Sequence, residues 1–292
     1  MEPLELVKLR GLMERTRGRS DVAIGLIDGP IVMNHVDLAA SSVREVPGVT
    51  NGTCVRPDSA ACAHGTFVAG ILSAKRGSVA PAICPECTLL VRPIFTEMSQ
   101  ANGDMPSATP EELGQAILDC IDAGACVVNI SAALAQPSLK DGRLLDEALG
   151  HAAKRGVIVV VAAGNQGTLG STVITCHPWV LPVVAYDLQG RPMDHSNLGK
   201  SIGQRGLGAP GDKVTSLSAR DQALTLGGTS AAAPFVTGTI GLLWSEFPQA
   251  SAADVKLALT RNRSQRRTTV VPPLLNAWVA YQNMKSQQHV EG

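Results

Sequence analysis

A three-layer α/β fold, with a mostly parallel central sheet covered by helices on both faces, is what this sequence predicts. Three observations carry the prediction. Short apolar runs recur at 22–27, 89–95, 127–130, 157–162 and 181–185, and near-continuous runs of this kind are the mark of strands buried on both faces. Helical patterns at 65–74, 110–123 and 143–155 fall between most of them, and strands alternating with helices imply parallel crossovers. The 29 glycines and only 3% aromatic residues suit closely packed layers and leave no stacking platform for bases or sugars.

Taken in chain order, residues 4–16 place Leu6, Leu9 and Met13 at helical spacing, which predicts a short amphipathic helix docked on the body. Val22 to Ile27 then form a buried strand that stops at the turn signal Asp28-Gly29-Pro30. Asn129 and Ser131 close the third run, and Gly164-Asn165 follow the fourth. In open α/β sheets ligands bind beyond the carboxyl ends of the strands, so these polar terminators are the candidate functional residues. With 45% hydrophobic residues and no low-complexity linker, the 292-residue chain can bury one large core. The organisation expected is a helical extension over 1–20, a single domain over 21–285 and a flexible tail over 286–292.

Several function classes are disfavoured. Lys+Arg and Asp+Glu both number 25, and this balance argues against a nucleic-acid partner. Neither GxxxxGK[ST] nor a strand-linked GxGxxG occurs, which argues against nucleotide chemistry. No apolar run reaches the roughly 18 to 20 residues of a membrane span, so no membrane partner is expected. The first residues lack the apolar core of a secretory signal, and the seven cysteines are an odd number; together these predict a cytoplasmic protein.

Three segments, 24-IGLIDGP-30, 62-CAHGTFVAG-70 and 227-GGTSAAAP-234, each set one reactive side chain among small residues: Asp28, His64 and Ser230. A serine hydroxyl is a weak nucleophile. It needs a base to take its proton and a third group to orient that base, and these three residue types supply the set. A lone aspartate at a strand end is ordinarily a turn former, and a lone Gly-Thr-Ser is ordinarily a helix cap. What raises them above that reading is their number and their order, Asp then His then Ser.

In that order the segments resemble the signature blocks of subtilisin-like serine proteases, with 158-IVVVAAGNQG-167 similar to the block that presents the family's oxyanion asparagine. Secondary matches are 34-NHVDL-38, 79-VAP-81 before 88-TLLVRPIF-95, 129-NISAA-133 and 208-GAPG-211, so the resemblance spans roughly residues 20–262. It implies the subtilisin-like fold and a serine endopeptidase. Ser230 is then the nucleophile, opening a helix with Pro234 in its first turn; His64, opening another helix, is the base; Asp28 orients His64. Asn165 and the Ser230 N–H hold the oxyanion. Ser131, Ala132, Ala133, Ala163 and Gly164 would line the substrate cleft, with a peptide or protein adding as a strand beside 129–133. Pro93, Ile94 and Phe95 are candidates for an apolar pocket.

The chain also departs from the family pattern. The loop 73–81 is short where many relatives carry a calcium-binding excursion, and Asp37 offers one carboxylate where calcium takes 6 to 8 oxygens, so no obligatory calcium, metal or other cofactor is expected. Phe67 stands where many relatives have a histidine, and Ala133 replaces a frequent glycine. Cys84 and Cys87 form a CxxC, and Cys54 and Cys62 flank a short loop before His64. Zinc would want a second ligand pair and a redox dithiol would want a strand-to-helix turn, which leaves local disulfides or free structural thiols. A short N-terminal helix, the Ile-Asp-Gly block, Cys-x-His-Gly-Thr and a cysteine just after Val-x-Pro resemble the branch that matures cyanobactin-type ribosomal peptides. That resemblance implies cleavage of a precursor peptide, with general intracellular proteolysis or a catalytically silent peptide-binding scaffold as the alternatives, and the absence of an inserted lid favours simple cleavage over macrocyclisation.

Overall fold

Seven strands, β1 (Ala23–Asp28), β2 (Val43–Glu45), β3 (Thr88–Pro93), β4 (Val127–Ile130), β5 (Ile158–Ala162), β6 (Val180–Tyr186) and β7 (Leu207–Pro210), form the central sheet of the computed structural model. The structure describes residues 1–38, 42–97, 108–131, 142–220, 222–260 and 268–288. Their order is β2-β3-β1-β4-β5-β6-β7 and every pairing is parallel. The chain winds outward from β1 to β3 on one side, then returns to place β4 on the other side of β1. That reversal leaves a crevice at the carboxyl ends of β1 and β4. A small antiparallel hairpin, β8 (Val214–Ser216) with β9 (Leu224–Leu226), stands outside the sheet.

The helices are α1 (Pro3–Leu6), α2 (Arg10–Arg15), α3 (Ala60–Ser73), α4 (Pro110–Asp122), α5 (Arg143–Arg155), α6 (Val173–Cys176), α7 (Lys200–Arg205), α8 (Thr229–Glu246), α9 (Ala252–Thr260) and α10 (Ala277–Gln288). Helix α4 starts where Thr109 and Glu112 cap one another's backbone N–H and Pro110 needs none of its own. Helix α5 stops at Gly156, whose φ of 70° continues no helix.

Alternation along the strands divides the core. Ile24, Leu26, Val127, Ile158 and Val160 face α3 and α8, whereas Ile27, Val128, Ile130, Val159 and Val161 face α4 and α5. Helix α8 is apolar on every side and almost wholly buried, as a helix running through the middle of a core must be. Truncating Phe235, which is fully buried, would cost about 3 to 5 kcal/mol.

Two expectations need correction. The helix expected over 4–16 is two short helices, because Lys8 turns the chain with φ 53°. The turn lets Val7 and Leu9 both reach zero exposure and lets the Val7 carbonyl accept from Ala277 N–H at 2.9 Å; Leu12 then joins the core, while Met13 is only partly buried. At the other end α10 runs to Gln288, so residues 286–288 of the expected tail are helical, and 289–292 lie outside the described residues. Strands β2, β8 and β9 were not predicted, since three residues carry little periodic signal, and β7 was not because its Leu-Gly-Ala-Pro sequence is no aliphatic run. No described helix is long and apolar enough to cross a membrane.

Candidate active site

Asp28 is the last residue of β1 and has zero exposure. Its Oδ1 accepts from Gly29 N–H at 2.6 Å and lies 2.8 Å from Nδ1 of His64. The approach depends on small residues. A Cβ on Gly65 would sit 2.5 Å from the Gly29 carbonyl, and one on Gly29 would sit 2.1 Å from the Ala61 carbonyl. Nothing larger than glycine lets α3 come this close to the end of β1.

Helix α3 begins five residues before the expected 65, because Ser59 Oγ accepts from Cys62 N–H at 3.2 Å and caps it. His64 therefore sits in the second turn, not at the opening. Its ring is 12% exposed. A carboxylate only accepts, so Nδ1 carries the proton toward Asp28 and Nε2 keeps its lone pair. Burial opposes the imidazolium most strongly, yet the charge and hydrogen bond of Asp28 outweigh it and hold the His64 pKa above the ordinary histidine value.

Ser230 is the second residue of α8 and is partly buried. Among the described residues its N–H has no acceptor, as expected of one of the four unpaired donors that open a helix. The neighbouring Thr229 N–H and Oγ1–H both donate to Asn165 Oδ1, at 2.9 and 3.1 Å. Thr229 Oγ1 also accepts from Gly164 N–H at 3.1 Å. With its oxygen engaged in this way, exposed Asn165 donates its Nδ2 to no acceptor among the described residues, which leaves it for the space before α8. Gly228 caps the helix with φ 104°, and a Cβ there would meet Asn165 Nδ2 at 2.9 Å.

Pro234 is the sixth residue of α8 and not in its first turn, a correction with a consequence. Its missing N–H removes the i+4 donor that an α-helix would give the Ser230 carbonyl. Ser131 Oγ supplies one at 3.1 Å, accepts in turn from Asn129 Nδ2 at 2.7 Å, and Thr237 Oγ1 donates to Asn129 Oδ1 at 2.8 Å. A buried chain of neutral bonds thus ties the peptide unit of Ser230 to the end of β4.

The remaining expected residues are placed unevenly. Ala163 is 4% exposed and packs with Val184, Tyr186 and Ile202. Gly164 uses its N–H on Thr229 and its carbonyl on Asn197 N–H at 2.9 Å. Ala132 and Ala133 lie outside the described residues. Phe95, 1% exposed, belongs to the core around Ile117 and Ile130 and is no pocket wall. Cys54 and Cys62 form a disulfide, whereas Cys84 and Cys87 are buried free thiols. Glu97 lies near that disulfide, but its carboxylate accepts from the N–H groups of Val55 and Arg56. Thr229 and Asn197 were not expected. Thr229 reads in sequence as a cap, and Asn197 as one polar residue in a loop.

A proton acceptor held by a buried carboxylate, a helix-opening serine and an amide donor beside it can together perform acyl transfer. Comparison with known proteins gives the same direction. The Peptidase S8 description, the subtilase family, matches residues 19–279. Mycosin-3 of Mycobacterium tuberculosis is 27% identical over 84% of this chain, and Subtilisin DY of Bacillus licheniformis is 28% identical over 88% of this chain and 89% of its own. The chain spans about three-fifths of mycosin-3, at 62%. Among solved structures, a variant of the protease domain of PatA superposes with a TM-score of 0.83 at 29% identity, covering 92% of this chain and 97% of that one. The prenylagaramide maturation protease PagA gives 0.80 at 26%, covering 94% and 98%.

Proposed function

We propose, from the premise that this chain belongs to the subtilase family, that it is a serine endopeptidase that trims a precursor peptide. The observation that carries the reading is the 2.8 Å contact of Asp28 with His64 at the strand ends, with Ser230 opening the adjacent central helix. In this mechanism Ser230 Oγ attacks the scissile carbonyl while His64 Nε2 takes its proton and then delivers it to the leaving amine. Asp28 holds the ring and stabilises the imidazolium. The negative oxygen of the tetrahedral intermediate accepts from Asn165 Nδ2 and Ser230 N–H, where the positive end of α8 adds to the stabilisation.

The precursor-peptide substrate is supported by the maturation proteases PatA and PagA, which match nearly the whole chain. The likeness to Subtilisin DY supports a broader protease as the competing reading. A fluorophosphonate probe tests the chemistry: labelling of the wild type and none of Ser230→Ala is expected, and equal labelling of both sinks it. Incubation with casein and with leader-bearing precursor peptides then separates the substrates, since a dedicated enzyme leaves casein intact.

A further inference from the structure

Asn197 lies in the loop between β6 and α7 and is 8% exposed. Among the described residues it makes five hydrogen bonds, and all go to residues 163–168. Its N–H donates to the Gly164 carbonyl at 2.9 Å. Its Nδ2 donates to the Ala163 carbonyl at 3.2 Å and to Gln166 Oε1 at 2.7 Å. Its Oδ1 accepts from Gln166 N–H at 3.0 Å and from Thr168 N–H at 3.1 Å. These partners bracket Asn165 on both sides in the chain, and none of the five bonds goes to Asn165 itself.

The fit is specific to an amide. Two donors and two acceptor sites in one plane are all used, and neither a carboxylate nor a hydroxyl offers that set. The turn is shaped to receive it: Gly164 has φ 104°, and a Cβ there would stand 2.3 Å from Asn197 Nδ2. The support is itself anchored, because Ser196 Oγ accepts from Ala185 N–H at 3.2 Å on β6. The neighbouring chain runs alongside as well, with Gly167 N–H to the His195 carbonyl and Leu198 N–H to the Thr168 carbonyl.

We propose that Asn197 is a positioning residue for the oxyanion site, acting on the reaction through Asn165. The inference rests on the serine-peptidase reading above. A donor displaced by about 1 Å can cost around a hundredfold, so loosening the turn lowers the rate of the bond-making step and leaves ground-state binding nearly unchanged.

The test is a double-mutant cycle on fluorophosphonate labelling, in which the phosphoryl oxygen gains negative charge as Ser230 attacks. The limiting labelling rate and the half-saturating probe concentration are measured for wild type, Asn197→Ala, Asn165→Ala and the double variant, with thermal unfolding of each. Asn197→Ala is expected to slow labelling 10- to 100-fold with half-saturation within about threefold, and to cost less than about threefold when Asn165 is already alanine. An equal loss in both backgrounds, or no loss, overturns the inference. If Asn197→Ala does not fold, Gln166→Ala, which removes one partner from an exposed side chain, carries the same cycle: a loss of about threefold that vanishes in Asn165→Ala supports it, and any other result overturns it. Ser230→Ala distinguishes the two failures, since labelling that survives that substitution refutes the peptidase reading itself.

Discussion

The two halves of the site are held by different physics. Asp28 and His64 are joined by a charge, in a strand-to-helix contact that only glycines make possible. Ser230 and Asn165 are held by neutral amides and hydroxyls from Thr229, Ser131, Asn129 and Asn197. Charges titrate and neutral networks do not, so the pH response should reside in the first half and the pH-independent geometry in the second.

The sharpest break in that division is Asp28→Asn. Removing the charge while keeping the shape should lower kcat about 10⁴-fold and move the acid limb of kcat/KM downward, and both follow from one set of pH–rate profiles. In the other half, Asn165→Ala should lower kcat by about 10² to 10³ with the limb unmoved. Thr229→Ala, which frees the Asn165 amide to turn, should cost about tenfold and again leave the limb in place.

The wild-type limb is itself a check. His64 must be neutral to act, and its pKa is raised, so activity should rise with pH through a midpoint above the ordinary histidine value of about 6.5. For stability the sign is opposite. A raised native pKa stabilises the protonated form, so this contribution is full below the unfolded value and is lost as pH climbs through the native one. The smallest kinetic effect should come from Cys54→Ser. The bridge to Cys62 closes a short loop, so its loss should cost about 2 to 3 kcal/mol in thermal unfolding and change kcat little.

The same division explains what was legible in the sequence. The strands that present Asp28, Asn129 and Asn165 were readable because buried parallel strands are runs of aliphatic residues ended by polar ones. The Asp-His-Ser order was readable because each partner brings its own small-residue setting. Helix starts were less so: Ser59 caps α3 from outside the apolar run, and that hid the first five residues. Asn197 was invisible, since its importance lies in partners some 30 positions away. A single asparagine in a loop carries no pattern. The bend at Lys8 escaped for a related reason, because this segment packs on α10, whose Ala277 N–H binds the Val7 carbonyl and which arrives last in the chain.

Pro234 has a consequence for how the site fails. The peptide unit of the nucleophile is clasped by a strand and not by its own helix, through the chain from Ser131 to Thr237. Fraying at the opening of α8 is therefore tied to separation of that helix from the sheet, an event of global and not local opening. Heat inactivation and loss of tertiary structure should consequently coincide on a single curve, leaving no window in which a folded protein has already lost its reactive serine.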